Sequence, residues 1–447
     1  MGRVDNAVEN TVGRRTLAKI TLRLIPLMFV LYIVAFLDRV NVGFAALQMN
    51  EDLGFSDTVY GLGAGIFFIG YFIFEIPSNL IMEKVGARVW IARIMITWGV
   101  ISSAMFLVGG ETSFYILRFL LGVAEAGFFP GMILYLTYWF PARERARRVA
   151  LFMAAIPISG VFGSPLSGAL LTLDGFAGLA GWQIMFLAEG IPAVLLGLVV
   201  LRFLPNGPDE GGWLQPEERA WLRGALEQEN RIKSEHGEYT TRQALTNGKV
   251  WLLSAIYFGV VTSVYGVSLW LPLIIEDLSG FGTFAVGLLG AIPYLAGAVG
   301  MVLFARHSDA TGERRWHVAV AAFIATVGLV LTGATASPIV EMAALTLAAL
   351  GIYSTLATFW SLPTAFLSGT AAAAGIALIN SVGNLGGFVG PYVVGFLSDA
   401  TGSFYAGLLL LAVLILVAGL LALAVRHERS LEEVEDVITP ITGAPSG

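Results

Sequence analysis

The sequence predicts an all-α membrane protein with twelve transmembrane helices in two six-helix bundles and both termini in the cytoplasm. Composition is the first observation behind this prediction. The chain has 447 residues, of which 56% are hydrophobic and 13% charged, whereas a soluble protein has about 25% charged residues. A soluble domain of this length cannot bury so much apolar surface. The mean hydropathy of +0.77 therefore indicates that lipid is the surrounding solvent.

Long apolar runs are the second observation. A bilayer core of about 30 Å needs about 20 apolar residues in a helix. The N-terminal run continues beyond the length of a signal-peptide core, so it is predicted to be the first span. Twelve runs qualify as spans 1 to 12, and they cover residues 22–49, 57–82, 88–109, 113–138, 145–172, 182–203, 249–276, 283–305, 315–335, 338–361, 370–398 and 402–425.

The distribution of Lys and Arg is the third observation. Basic residues precede span 1, follow span 12, and lie between spans 2 and 3, 4 and 5, 6 and 7, and 8 and 9. The connections after the odd-numbered spans contain no Lys or Arg, and the connection 49–57 is acidic. Positively charged connections stay on the cytoplasmic side, which predicts cytoplasmic termini.

One long polar segment divides the chain. The predicted organisation is an N-terminal bundle (1–203), a cytoplasmic linker (204–248) with a helix lying along the membrane, a C-terminal bundle (249–426) and a cytoplasmic tail (427–447).

The two halves share an acid-x-x-Gly-x-Arg pattern after their second spans. The glycine permits a tight turn, and the charged residues can clamp two helix ends, although short cytoplasmic loops often contain such residues. Repeats at corresponding places indicate a duplicated six-helix unit with a substrate site between the halves at the midplane. The pattern consists of Glu83, Gly86 and Arg88 in the first half and Asp309, Gly312 and Arg314 in the second.

Composition also limits the chemistry. The net charge of −6 indicates no nucleic-acid surface. The absence of cysteine excludes disulfides and thiolate metal sites. All four histidines lie in polar segments, so an intramembrane imidazole relay is excluded; they are His236, His307, His317 and His427. No cofactor or metal is expected.

Ionisable residues inside the spans are the candidate functional groups. Asp38 and Arg39 lie in the middle of span 1, where a charge costs about 2.5–3.5 kcal/mol on insertion scales. Both must face protein or water, and neighbours on a helix point about 100° apart, so they need not pair with each other. A structural ion pair with another helix and a substrate or proton site are the two interpretations.

Span 4 carries a second charged pair. Arg118, Gly122 and Glu125 lie on one helical face, and Pro130 is expected to disturb the helix beyond them. A buried glutamate without a fixed partner is easily protonated, so Glu125 is a candidate proton carrier. Arg118 either holds an acid in its charged state or binds substrate.

Other polar residues give weaker signals. Glu75 is expected to bind loop or helix-end groups near the cytoplasmic end of span 2, and Glu189 has no assigned role. Asn380 and Asn384 share a face of span 11 and can bind either a substrate oxygen or another helix. Several aromatic residues line either a cavity or lipid, namely Tyr32, Tyr71, Tyr257, Tyr265 and Trp360.

Four motifs resemble the major facilitator superfamily, and within it the anion:cation symporters, over nearly the whole chain. They are LDRVNVGFA (37–45), GYFIFEIPSNLIMEKVGARVWIARIM (70–95), RFLLGVAEAGFFPG (118–131) and NSVGNLGGFVGP (380–391). This resemblance implies the major facilitator fold and proton-driven uptake of organic anions such as tartrate, phthalate, 4-hydroxyphenylacetate or sugar acids. It implies a multi-pass protein of the inner membrane that is not an enzyme.

The resemblance also implies roles for individual residues. Asp38 and Glu125 match proton-titrating acids, Arg39 matches a carboxylate-binding arginine, and Arg118 matches its partner in span 4. Tyr71, Trp360 and Asn380 match substrate-contacting positions. Two departures make the cavity less polar, because Ile156 stands in place of a glutamine and Phe36 in place of a tyrosine. They favour an aromatic acid or a hydroxy-diacid over a sugar acid.

Competing functions are weaker. Efflux by proton antiport is supported by a partial antiporter signature in span 5, in which Leu151 and Ser164 replace glycines while Gly160, Pro165 and Gly168 are kept. A membrane enzyme lacks a nucleophile–base set, and no GxxxxGK[ST] loop supports ATP drive. A sensor would need a larger signalling domain than the tail offers. The expected partners are a small organic anion, protons and lipid, with the chain acting as a monomer.

Overall fold

The computed structural model describes residues 2–235, 246–334, 337–366 and 369–425, and its secondary structure in these ranges is helical. The linker residues 236–245 and the predicted tail 427–447 lie outside the described residues. Three single-turn 3₁₀ helices (Met105–Leu107, Phe176–Gly178 and Pro208–Glu210) accompany the α-helices.

The first six spans are formed by nine helices within the described ranges. Spans 1, 4 and 5 each contain two consecutive helices, whereas spans 2, 3 and 6 are continuous. In chain order the helices are Gly2–Val40, Val42–Leu53, Asp57–Val85, Ala87–Ala104, Glu111–Glu125, Phe128–Thr137, Ala142–Met153, Ala155–Leu171 and Gly181–Phe203.

The second six spans follow the linker helix Pro216–Glu235. Their helices are Gly248–Ser279, Thr283–Thr311, Arg315–Leu331, Pro338–Phe359, Ser361–Phe366, Gly369–Thr401 and Tyr405–Ala424. Among the described residues, ten helical segments are long and apolar enough to cross a membrane. The two other spans are the shorter apolar helix of span 9 and the long helix of span 11. The predicted twelve-helix fold is confirmed.

Span 4 is interrupted directly beyond Glu125. Its first helix ends at Glu125, and the second begins after Gly127, whose φ of +86° lies in the left-handed region that glycine adopts without strain. Pro130 lies in the first turn of the second helix, where a missing N–H costs little. The predicted disturbance beyond Arg118, Gly122 and Glu125 is therefore present, and the break lies at Ala126 and Gly127, just before Pro130.

The two bundles meet closely at their non-cytoplasmic ends. Span 2 packs against span 11, and span 5 packs against span 8. Tyr60 of span 2 donates a hydrogen bond of 2.6 Å to the carbonyl of Leu269 in span 7. Asp399 of span 11 accepts hydrogen bonds from the backbone N–H groups of Asp57 (3.2 Å) and Thr58 (2.8 Å) at the start of span 2. This arrangement closes the space between the bundles on the non-cytoplasmic side.

The linker helix docks on the cytoplasmic extension of span 1. Glu218 is buried and accepts hydrogen bonds from Lys19 (2.9 Å) and Arg15 (3.0 Å). Nearby, Trp213 stacks on Trp139 with ring centroids 5.6 Å apart. The linker therefore lies along the N-terminal bundle.

The two repeated loop patterns use their arginines differently. In the second half, Arg314 binds Asp309 at 2.6 Å, and Gly312 between them has a φ of +66°. In the first half Gly86 also has a positive φ of +89°. Arg88, however, reaches the chain beyond span 6, where it donates hydrogen bonds to the carbonyl of Leu204 (2.6 Å) and to the carboxylate of Glu210 (2.5 Å). Glu83 is exposed. The expected clamp between acid and arginine thus holds in the second half, whereas in the first half the arginine ties span 3 to the end of span 6.

Candidate functional site

A cavity between the two bundles is the candidate site. Its empty volume is about 490 Å³, which includes the part that is open to solvent. Spans 1, 2, 4 and 5 supply one wall, and spans 7, 10 and 11 supply the other. The lining residues include Tyr32, Phe36, Arg39, Tyr71, Phe129, Met153, Ile156, Tyr257, Val261, Val264, Tyr265, Leu356, Asn380 and Asn384. Its position at the bundle interface is the one expected from the sequence repeats.

Arg39 is the cationic centre of this cavity. Its side chain is 6% exposed and forms an ion pair with Glu125 of span 4. It also donates a hydrogen bond of 2.7 Å to the hydroxyl of Tyr265 in span 7. The guanidinium lies 5.4 Å from the ring centroids of both Phe67 and Tyr71, so that cation–π attraction adds to the ion pair. Arg39 therefore connects both bundles.

Glu125 ends the first helix of span 4 and faces Arg39 within the protein. The predicted common face of Arg118, Gly122 and Glu125 is buried. Gly122 permits the contact, because a side-chain carbon there would collide with the carbonyl of Phe67 in span 2. Span 4 can therefore approach span 2 closely enough to place Glu125 beside Arg39.

Arg118 does not bind either acid by a hydrogen bond. It is fully buried and donates to the backbone carbonyls of Gly63 (3.3 Å) and Ala64 (2.9 Å) in span 2. Its guanidinium lies 5.1 Å from the centroid of Phe67, the ring that also contacts Arg39. The contact ties span 4 to span 2 and keeps a second positive charge near the Arg39–Glu125 pair.

Asp38 points away from Arg39, in agreement with the expectation that these neighbours need not pair. It is 1% exposed and accepts a hydrogen bond of 2.6 Å from the indole N–H of Trp98 in span 3. A carboxyl group held by one neutral donor has less stabilisation of its charge than one paired with a cation. Asp38 is thus a buried acid next to the wall of the cavity, held by a neutral donor of span 3.

Glu75 is the acid that the sequence interpretation missed. It was expected to bind loop or helix-end groups, but it is 4% exposed and faces span 11. The side-chain amide of Asn380 donates to one carboxylate oxygen, while Ser381 and the amide of Asn384 lie 3.4 Å from the other. The i, i+4 spacing from Tyr71 could have indicated that Glu75 shares the cavity-facing side of span 2.

Aromatic and aliphatic groups form the remaining wall. Tyr32 stacks on Phe152 with ring centroids 4.4 Å apart, and the ring centroids of Phe36 and Tyr265 are 6.2 Å apart. Ile156 lines the same cavity and is 5% exposed. Trp360 packs edge-on against Tyr257 at 4.9 Å, so it supports a cavity-lining ring. The wall thus combines one cation, two amides and several rings, which suits an anion with an apolar or hydroxylated body.

Another buried acid lies in the N-terminal bundle. Glu189 of span 6 is 1% exposed and accepts a hydrogen bond of 2.7 Å from Ser167 of span 5. This contact joins two spans of one bundle and does not reach the cavity lining.

Comparison with known proteins identifies the group to which the chain belongs. Residues 28–391 match the sequence profile of the Major Facilitator Superfamily. A "Putative tartrate transporter" of Agrobacterium vitis is 55% identical over 399 residues, covering 89% of this chain and 88% of that protein. A "Quinolone resistance transporter" of Acinetobacter baumannii is 46% identical over 380 residues, covering 85% and 88%.

A solved structure supports the same fold. The inward-facing, occupied structure of a bacterial homologue of the human lysosomal transporter Spinster aligns with a TM-score of 0.74 at 18% identity, covering 91% of this chain and 97% of that one. The family predicted from the motifs is therefore confirmed, and the chain is a multi-pass transporter of the inner membrane that belongs to the Major Facilitator Superfamily.

Proposed function

We propose that the chain is a proton-coupled symporter that imports an organic carboxylate anion by alternating access, with an aromatic acid or a hydroxy-diacid favoured over a sugar acid. The observation that carries this proposal is the buried pairing of Arg39 with Glu125 at the wall of the cavity. No cofactor takes part, and the proton gradient supplies the driving force.

Charge balance gives the coupling its physical basis. An unpaired charge in a low-dielectric site is costly, so Arg39 needs one carboxylate partner at all times. Protonation of Glu125 removes that partner, and the carboxylate of an incoming anion replaces it. The guanidinium fork suits such a bidentate contact. The occupied site then has the same net charge as the empty one.

Release follows from the reverse exchange. Loss of the proton to the cytoplasm restores the charge of Glu125, which competes for Arg39 and displaces the anion. In this proposal Asp38, bound to Trp98 beside the cavity, is the second proton-titrating acid. The close contacts on the non-cytoplasmic side break when the bundles rock to the outward-facing state.

The wall of the cavity supports the substrate preference. Phe36, Ile156 and the ring of Tyr32 favour an aromatic body, whereas the amides of Asn380 and Asn384 favour an oxygen-rich one. The relative named for tartrate supports a hydroxy-diacid.

The test uses Glu125→Gln in proteoliposomes. The variant should lose accumulation driven by a pH gradient while retaining exchange of labelled substrate across the membrane, because the glutamine cannot carry a proton. Each pH unit is worth 1.36 kcal/mol per coupled proton, or about tenfold accumulation. Glu341→Gln is the control, since it neutralises a buried acid in the first turn of span 10, away from the cavity lining. Unchanged pH-driven accumulation in Glu125→Gln would disprove the proton role.

Proton-antiport efflux is the second candidate, favoured by the relative named for quinolone resistance. The two candidates predict opposite proton movements. Substrate entering along its gradient acidifies the vesicle lumen in symport and makes it more alkaline in antiport.

A further inference from the structure

We propose that Glu75 is a third coupling carboxylate: it occupies an amide-lined subsite in the empty protein and yields that subsite to the distal carboxylate of a two-headed substrate. This inference rests on the proposed function and names its substrate class as short-chain diacids. It concerns a residue outside the Arg39–Glu125 pair.

The first argument is the setting of the carboxylate. Glu75 is buried, and its hydrogen-bond donors are neutral, namely the amides of Asn380 and Asn384 and the hydroxyl of Ser381. No ion pair joins Glu75 to a cation among the residues that the structure describes. A buried carboxylate without an ion-pair partner is held by donors that would serve any carboxylate equally well.

The second argument is access to the cavity. Asn380 and Asn384 line the cavity that contains Arg39. Their amides therefore face both Glu75 and the space that an anion would enter. A carboxylate in that space and the carboxylate of Glu75 compete for the same donors.

The third argument is spacing. Tyr71 contacts Arg39, and Glu75 follows four residues later on the same helix, about 6 Å along its axis. The two sets of donors are therefore separated by roughly one helical turn, a distance suited to the two ends of a short diacid. Each set is already filled by an internal carboxylate, Glu125 on Arg39 and Glu75 on the amides.

The titratable groups that face Glu75 come from three elements. Tyr71 lies on its own helix, Arg39 lies on span 1, and Tyr257 lies on span 7. The two tyrosines are neutral at physiological pH, and Arg39 is held by Glu125 in the empty protein. When a diacid neutralises Arg39 and approaches the amides, its distal charge repels the charge of Glu75. Uptake of one proton by Glu75 removes that repulsion.

The experiment measures proton linkage with purified protein by titration calorimetry between about pH 6 and pH 8, where carboxylic acids with ordinary pKa values are ionised. The probes are tartrate and its monoamide, which differ by one carboxylate. In the natural protein the slope of log Kd against pH should be larger for tartrate than for the monoamide, by up to one unit, since tartrate binding takes up one further proton wherever Glu75 is ionised in the empty protein. Glu75→Gln should abolish this difference, and the control Glu341→Gln should preserve it.

A second variant tests the inference if Glu75→Gln does not fold. Asn384→Ala removes one donor to the distal carboxylate, so it should weaken tartrate binding about tenfold, as expected for a hydrogen bond to a charged group, with a smaller effect on the monoamide. Equal slopes for the two ligands in the natural protein would overturn the inference, and so would binding of aromatic monoacids without any binding of tartrate. A third outcome separates the two hypotheses. If Glu125→Gln removed the pH dependence of Kd for both ligands, while Glu75→Gln left the difference between their slopes unchanged, the proposed function would stand and the role of Glu75 would be rejected. If neither ligand bound the natural protein in a pH-dependent way, the proposed function and the role of Glu75 would both be rejected.

Discussion

Asp399 is expected to stabilise the closed non-cytoplasmic side, because its carboxylate joins the two bundles. It belongs to span 11 and accepts two backbone N–H groups at the start of span 2, from Asp57 and Thr58. These groups are the unpaired donors of a helix N-terminus, where a negative charge is favourable. Opening on this side separates the bundles and breaks both hydrogen bonds. Asp399→Ala should therefore shift the protein toward the outward-facing state.

The magnitude follows from the number and exposure of these bonds. A hydrogen bond to a charged group contributes about 1.5–3 kcal/mol when buried. Asp399 is exposed, which reduces the contribution of its charge. The two hydrogen bonds together therefore stabilise the closed side by about 1.5 kcal/mol. Because about 1.4 kcal/mol corresponds to a factor of ten, the outward-facing fraction should rise about tenfold.

Thiol labelling measures this fraction directly, since the natural chain contains no cysteine. A single cysteine in the variant Val264→Cys lies in the cavity wall and reacts with a membrane-impermeant maleimide only when the non-cytoplasmic side is open. Asp399→Ala should increase the labelling rate from outside the cell about tenfold. Glu111→Ala is the matched control, because Glu111 is an exposed acid in the first turn of span 4 on the same side. An unchanged labelling rate in Asp399→Ala, at equal expression, would refute the reasoning.

Three further substitutions test other contacts. Arg39→Lys should raise the substrate Kd by about tenfold or more in binding assays, because a lysine cannot make the forked contact that a carboxylate receives from arginine; an unchanged Kd would remove Arg39 from the anion site. Gly122→Ala should lower thermal stability and transport, because the added carbon meets the carbonyl of Phe67, and a normal melting temperature would contradict the close packing. Burial raises the pKa of Glu218, but hydrogen bonds from Lys19, the backbone N–H of Gln215 and Arg15 outweigh burial and hold this pKa below its ordinary value. Linker docking should accordingly be complete at neutral pH and weaken as the pH falls through that lowered pKa. Limited proteolysis of the linker should show this acid-induced release in the natural protein, and Glu218→Gln should be cleaved faster at neutral pH; equal cleavage at all pH values would contradict the assignment.

The spans and their orientation could be predicted because both depend on local composition. A run of apolar residues identifies a helix in lipid, and loop charges identify its direction, without knowledge of tertiary contacts. The same reasoning placed Arg118 and Glu125 on one buried face. It could not identify their partners, since helical spacing gives the direction of a side chain and not the neighbouring helix.

Glu75 shows the limit of sequence reasoning most clearly. Its expected position near a helix end came from counting along span 2, but the helix continues to Val85, which places Glu75 deeper in the protein. Its donors are more than 300 residues away in span 11, a contact that composition and periodicity do not encode. The pairing of Arg39 with Glu125 likewise joins positions 86 residues apart.

The most direct test of the central claim is the movement of protons with substrate. Proteoliposomes containing a pH-sensitive dye in their lumen receive an inward gradient of tartrate, with no pH gradient imposed. The exchange of Glu125 for a substrate carboxylate on Arg39 predicts acidification of the lumen that is absent in Glu125→Gln. Tartrate uptake without acidification, or with a rise in lumenal pH, would contradict the account.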